Sequence, residues 1–257
     1  MCRHLAYVGA PLPLGSVVKD PPRSLFRQSW EPRHQRFGTV NADGFGVGWY
    51  ADGDPVPARY RRAVPIWADP SFTDLARVVR TGALLAAVRD ATLPGADGEA
   101  AAAPFAADRW LFSHNGSVKG WPHSMAALTS VLTPTDLLSL EARTDSAFVW
   151  ALLLARLRRG EPLADALSAT VTEVAEAAPG SRLNLLVTDG TSIAATTWGD
   201  SLWYLTTPGH RTTVASEPYD DSPAWQEVPD ATLLTATRTE VLTTPLKDLA
   251  APKEPRP

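Results

Sequence analysis

Between Arg182 and Ala215 the chain packs four apolar runs, Arg182–Thr188, Ser192–Trp198, Leu202–Thr206 and Thr212–Ala215, separated by Asp-Gly, Gly-Asp and Pro-Gly pairs. Connections this tight join antiparallel neighbours, because a parallel crossover needs a dozen residues or more. His4–Val8, closed by Gly9, Phe45–Tyr50, Ala58–Ile66, Ala83–Arg89 and Trp110–Ser113 read as earlier strands, with turns at Asn41-Ala42-Asp43-Gly44 and Asp52-Gly53-Asp54. Leu233–Ala236 and Glu240–Leu242 add short ones. Helices are predicted over Ser71–Arg80, with Ser71 as its N-cap, and over Ser146–Arg158, behind Thr144 or Asp145 and stopped by Gly160. Pro162–Ala178 is a third. Ala147–Ala155 is apolar nearly all round, the mark of a helix buried between layers. Strands, then two helices, then hairpin-linked strands predict an α+β fold: two antiparallel sheets packed together with helices outside. Residues 2–249 are expected to form a single domain, Pro94–Asp108 a mobile loop and residues 250–257 a disordered tail.

The formal net charge of −4 argues against a nucleic-acid partner. The basic clusters Arg59-Tyr60-Arg61-Arg62 and Arg156-Leu157-Arg158-Arg159 read as solvated faces. A single cysteine excludes an internal disulfide and a multi-cysteine zinc site. The five histidines, at 4, 34, 114, 123 and 210, have no metal-ligand spacing, so no metal and no cofactor are expected. There is no secretory h-region and no apolar run long enough for a membrane span, which predicts a cytoplasmic chain without a membrane partner.

That one cysteine is Cys2. Removal of Met1 places a thiol and an α-amine on the same residue, and such an amine can activate the nucleophile beside it. Ser113-His114-Asn115-Gly116 closes an apolar strand. An Asn-Gly pair is a turn signal, and it is also a way to aim a side-chain amide and a glycine N–H at one developing oxyanion. Arg89-Asp90-Ala91-Thr92 closes another strand, where Arg89 is either a surface charge or, with the Thr92 hydroxyl, a clamp for a carboxylate. Asp145 is either a helix cap or an anchor for an ammonium group. Gly44-x-Gly46-x-Gly48 does not fit a dinucleotide fingerprint, because Trp49 breaks the pattern and no helix follows.

Taken together and in this order, Met1-Cys2 before a strand, Arg89-x-x-Thr92, His114-Asn115-Gly116 and Thr144-Asp145-Ser146 resemble the class II glutamine amidotransferases, of the N-terminal-nucleophile (Ntn) type, over roughly residues 2 to 240. Within that group the chain is similar to the γ-glutamyl amidohydrolases of ergothioneine biosynthesis. Gln35-Arg36-x-Gly38, Asn41-Ala42-Asp43-Gly44, Arg182-Leu183-Asn184, Thr196-Thr197-Trp198-Gly199-Asp200 and Ser216-Glu217-Pro218-Tyr219-Asp220-Asp221 carry this likeness. The resemblance implies a four-layer αββα Ntn sandwich and a small-molecule γ-glutamyl substrate, γ-glutamyl-hercynylcysteine sulfoxide. It implies Cys2 as nucleophile, Asn115 and Gly116 as the oxyanion hole, Arg89 and Thr92 on the glutamyl carboxylate, Asp145 on its ammonium, and His114 in the same pocket. Two departures from the wider pattern, Leu93-Pro94 after Arg-x-x-Thr and Ala103-Pro104-Phe105 in place of an upstream histidine, favour a specialised substrate. Trp30, Trp67 and Trp121, and Asp220 with Asp221, are candidates for its trimethylammonium group. A glutaminase subunit feeding ammonia to a separate synthetase is the alternative enzyme; a non-catalytic γ-glutamyl binder is the alternative of another class.

Overall fold

A computed structural model describes residues 2–91 and 98–246. Its strands are β1 (Arg3–Pro13), β2 (Phe45–Trp49), β3 (Ala58–Arg62), β4 (Arg80–Val88), β5 (Phe105–Ala107), β6 (Trp110–Ser117), β7 (Arg182–Thr188), β8 (Ser192–Thr197), β9 (Trp203–Thr207), β10 (Arg211–Ala215), β11 (Gln226–Glu227), β12 (Thr232–Thr237) and β13 (Val241–Pro245). One sheet has the order β11-β9-β10-β1-β4-β2-β3 and the other β13-β12-β8-β7-β6-β5. The hairpins foreseen between β7 and β8 and between β9 and β10 are present, and these pairings are antiparallel.

The sheets stack because their strands are apolar on both faces. Along β7, Leu183, Leu185 and Val187 point outward to the helices, while Leu186 points inward to the opposite sheet, as the two-residue strand period requires. Ala6, Val8 and Leu85 of the first sheet meet Leu111, Leu186 and Ala195 of the second in that inner layer. The helices are α1 (Gly15–Val18), α2 (Leu25–Gln28), α3 (Pro70–Val78), α4 (Pro134–Leu138), α5 (Asp145–Arg158) and α6 (Leu163–Ala177). α1 to α3 cover the first sheet, Phe72 of α3 packing in one cluster with Leu5 and Leu84, and α5 and α6 cover the second, their Leu153 and Val171 packing in one cluster with Phe112. The result is the expected four-layer αββα sandwich. No helix among the described residues is long and apolar enough to cross a membrane.

Several expectations are corrected. β1 continues past Gly9 to Pro13, shifting register between Val8 and Leu12. Gly9 is a close-approach residue and not a stop, since a Cβ there would lie 2.5 Å from the Tyr7 hydroxyl. Asp69, not Ser71, caps α3: its Oδ1 accepts from the N–H groups of Ser71 (3.0 Å) and Phe72 (3.3 Å), and Pro70 occupies the first turn, where it has no N–H to leave orphaned. β3 ends at Arg62, short of Ile66, which starts a 3-10 turn after Pro65. In the segment expected to be a mobile loop, Gly98–Ala101 forms a 3-10 turn and β5 pairs with β6, anchored by buried Phe105. Residues 92–97 and 247–257, which include Thr92 and the predicted tail, lie outside the described residues. The basic clusters are ion-paired instead of freely solvated: Arg59 and Arg61 both reach Glu141 (3.1 and 2.9 Å), and Arg156 ties α5 to Glu173 of α6 and to Glu161.

One buried group joins the sheets by a polar contact. His4 of β1 places Nδ1 3.1 Å from the Ser113 hydroxyl of β6, and its Nε2 is buried without a partner. Burial, with Arg3 and His114 nearby, holds its pKa down at about 3. An unfolded chain protonates this imidazole below about pH 6.5, while the folded chain resists until about 3. The native state therefore loses stability as pH falls through that window. Thermal unfolding measured between pH 7 and pH 4 is expected to show a shallower decline in His4→Asn than in the parent protein; equal slopes would contradict this reading.

Candidate active site

The leading end of β1, the trailing ends of β4 and β6 and the start of α5 converge at one edge of the sandwich. They enclose a cavity of about 180 Å³ whose lining includes Cys2, Arg89, His114, Gly116 and Asp145. A cavity of about 150 Å³ takes a group the size of benzene, so this one suits a short amino-acid side of a substrate. Its remaining wall is mostly apolar and includes Phe105, Val118 and Trp121.

Cys2 is partly buried. Burial pushes its thiol upward in pKa; a backbone hydrogen bond from Asp90 and the charge of Arg89 pull it down, and Asp145 adds to the rise. With burial dominant, the sulfur needs a nearby proton acceptor to become a thiolate near neutrality. The Cys2 backbone nitrogen donates to Asn115 Oδ1 at 3.3 Å. That contact orients the amide: Oδ1 faces the Cys2 nitrogen, and Nδ2 is left buried with no partner. An unpaired buried donor is costly unless something arrives to meet it.

Asn115-Gly116 is not a turn. Both residues lie within β6, opposite Asn184 and Leu183 of β7. A Cβ on Gly116 would fall 2.0 Å from the Arg182 carbonyl oxygen, so only glycine lets the two strands approach here. Thr144 is the cap of α5, accepting from the Ala147 N–H at 3.2 Å, and Asp145 is the first helical residue. Asp145 Oδ2 accepts from the Val118 N–H (2.8 Å) and Oδ1 from the Ser146 N–H (2.7 Å), which fixes the carboxylate at the cavity wall.

His114 uses both ring nitrogens within the protein. Nε2 lies 2.9 Å from the Arg182 carbonyl, which can only accept, so Nε2 donates there; Nδ1 lies 3.0 Å from Ser146 Oγ. The ring is thus a brace between β6, β7 and α5. Arg89 is steadied by Asp43: the Arg89 Nη1 donates to the Asp43 carbonyl (3.3 Å), and the Asp43 carboxylate accepts from the Ala91 N–H (2.7 Å).

Behind Cys2 lies a layer of buried charge. Arg3 is fully buried; its Nε donates to Gln35 Oε1 (3.2 Å), which also accepts from Asn41 Nδ2 (3.0 Å). Burial pulls the Arg3 guanidinium down in pKa, and Glu217 and Asp200 push it back up. Glu217 accepts from the N–H groups of Arg33 and His34, pinning the segment that carries Gln35. Asn184 spends its side chain on the Trp198–Ser201 turn, accepting from the Trp198 N–H and donating to the Asp200 carbonyl, both at 2.8 Å.

The structure brings together Cys2, Arg89, His114, Asn115, Gly116 and Asp145. Of the aromatic candidates, Trp121 lines the cavity, whereas Trp30 and Trp67 pack edge-to-face on each other and are not part of its lining. Asp220 accepts from the Trp225 indole (2.8 Å) and Asp221 pairs with Arg23 (3.0 Å), so neither is a cavity residue. Sequence reasoning assigned no role to Ser146, the partner of His114, or to Ser117 and Arg143, which also line the cavity. Ser146 stood inside a quoted motif, but only the folded β6–α5 contact gives it a task.

A family profile described as class-II glutamine amidotransferases matches residues 23–217. The chain belongs to this family. Among curated relatives of this amidotransferase chain, a gamma-glutamyl-hercynylcysteine sulfoxide hydrolase from Mycolicibacterium smegmatis is 43% identical over 246 residues, covering 96% of this chain and 100% of that protein. A protein of the same name from Mycobacterium tuberculosis is 40% identical over 253 residues, covering 98% and 100%. A solved class-II domain protein from Silicibacter pomeroyi aligns with TM-score 0.69 at 25% identity over 95% of this chain and 99% of its own. The glutamine phosphoribosylpyrophosphate amidotransferase of B. subtilis shares the fold, with TM-score 0.62 at 15% identity, over 95% of this chain and 49% of that longer one.

Gly116 is the tightest steric constraint on this amidotransferase site. Gly116→Ala is expected to push β6 off β7 and misplace the neighbouring amide, lowering kcat on a γ-glutamyl amide by about a hundredfold or more, the scale of a lost oxyanion donor. Steady-state kinetics on the purified variant checks this; parental turnover would contradict it.

Proposed function

We propose that this chain hydrolyses the γ-glutamyl amide bond of γ-glutamyl-hercynylcysteine sulfoxide, giving glutamate and hercynylcysteine sulfoxide, within one cytoplasmic catalytic domain over residues 2–249. The observation that carries the chemistry is the juxtaposition of Cys2, Arg89 and Asp145 around one small cavity, with Asn115 against the Cys2 nitrogen and its Nδ2 left unpartnered. The substrate rests on the two relatives of that name, each matched along its full length.

In this reading Met1 is removed and the Cys2 nitrogen becomes an α-amine, whose typical pKa of about 7.7–8.0 suits a base near neutrality. The amine takes the thiol proton as Sγ attacks the γ-carbonyl carbon. The carbonyl π pair moves to oxygen, and Asn115 Nδ2 and the Gly116 N–H meet the resulting oxyanion. Arg89, with Thr92, holds the glutamyl α-carboxylate and Asp145 its ammonium. Collapse of the tetrahedral adduct breaks the C–N bond, and the ammonium form of Cys2 returns its proton to the departing amine. Water then attacks the thioester with the same amine as base, releasing glutamate and restoring the thiol.

Two measurements test the assignment. Cys2→Ala is expected to lose all turnover, and Asn115→Ala about 10²–10³-fold in kcat; an Asn115 variant within fivefold of the parent would remove the oxyanion role. Competing free glutamine against the conjugate separates the proposed hydrolase from an ammonia-supplying glutaminase: preference for glutamine would overturn the substrate assignment.

A further inference from the structure

The cavity beside Cys2, about 180 Å³, suits the glutamyl half of a conjugate. The departing amine then extends past the strand ends that flank the reacting carbonyl. The residue after the Asn115-Gly116 pair is Ser117, which lines the cavity, and Arg182 Nη2 donates to the Ser117 hydroxyl at 3.1 Å.

Arg182 is the first residue of β7, directly opposite Ser117 in the β6–β7 ladder. Its guanidinium is held from several sides. One edge is on Ser117, Nε lies 3.8 Å from the Asp200 carboxylate, and the guanidinium carbon sits 4.0 Å from the centre of the Phe37 ring. Gly199 keeps the neighbouring turn close, since a Cβ there would meet the Arg182 side chain at 3.0 Å. The side chain is 18% exposed and Phe37 above it is 53% exposed, so the pair forms a short aromatic-cationic surface beside Ser117 of the cavity wall. A planar guanidinium fixed by stacking and by side contacts is a pre-positioned positive charge suited to a carboxylate.

We propose that Arg182 is a specificity residue that recognises the α-carboxylate of the departing amino acid, the cysteinyl carboxylate of the conjugate, with Phe37 and Asp200 holding the guanidinium in place. The assignment rests on the γ-glutamyl hydrolase reading above. A leaving amino acid carries its carboxylate two bonds from the scissile nitrogen, and Ser117, which Arg182 holds, follows directly on the Asn115-Gly116 pair. Free glutamine, whose leaving group is ammonia, has nothing to offer this contact. Arg182 thus supplies discrimination between conjugates of amino acids and simple γ-glutamyl amides.

The test compares kcat/KM for γ-glutamyl-hercynylcysteine sulfoxide with that for its analogue bearing a carboxamide in place of the cysteinyl carboxylate. The parent protein is expected to prefer the carboxylate by about 30-fold, the scale of one hydrogen bond to a charged group. Arg182→Gln is expected to reduce that preference to less than about threefold, with Arg182→Lys between the two. A parent protein indifferent to the change overturns the proposal without any variant having to fold, and so does an Arg182→Gln protein that keeps the full preference. A parent protein that hydrolyses neither compound instead sinks the hydrolase reading, which keeps the two failures distinct.

Discussion

The contact between the Cys2 nitrogen and Asn115 Oδ1 is where the two sheets meet around the chemistry. Cys2 leads β1 in one sheet and Asn115 lies near the trailing end of β6 in the other. Their approach is held by an inner layer in which small residues such as Ala6, Val8 and Ala195 pack with Leu111 and Leu186. The same contact turns the Asn115 amide, so that its acceptor is occupied and its donor is left over. A packing decision thus becomes an electrostatic one.

Around that pair the protein arranges supports in rings. His114 is locked by Ser146 and the Arg182 carbonyl, Asp145 by two backbone N–H groups, and Arg89 by Asp43. Pre-set geometry of this kind costs no reorganisation when charge develops, which is the usual source of strong oxyanion stabilisation. Behind it, Arg3, Asp200 and Glu217 put buried charge under the strand ends. Buried ions are weak evidence for stability. Here their visible work is positional: Glu217 and Gln35 pin the segment that leads to Phe37, and Asp200 steadies Arg182.

Much of this was legible before any coordinates. Tight turn pairs fixed the antiparallel hairpins, and the all-round apolar stretch of Ala147–Ala155 marked a buried helix, although α5 lies in an outer layer over the second sheet and not between layers. Cys2, Arg89, Asn115 and Asp145 could be picked out by chemistry and motif order. What failed were features decided by distant partners. Asn115-Gly116 has the composition of a turn and sits in a strand, because both residues pair with the distant β7, whose close approach at the Arg182 carbonyl requires the glycine. β5 is too short for a pattern and exists through Phe105 burying itself beneath α5. Asp69 displaced Ser71 as a cap because Pro70 sets where the helix starts. Trp30 and Trp67 were counted by type, but aromatic residues choose their neighbours through packing that no local window contains.

The account turns on a sulfur activated by the nitrogen of its own residue, and intact-mass spectrometry of the purified enzyme during turnover addresses it most directly. The predicted result is a chain lacking its first methionine that, when quenched in acid, carries one added γ-glutamyl group, mapped by peptide fragmentation to Cys2. An active enzyme that retains Met1, or an acyl group found on any other residue, would contradict it.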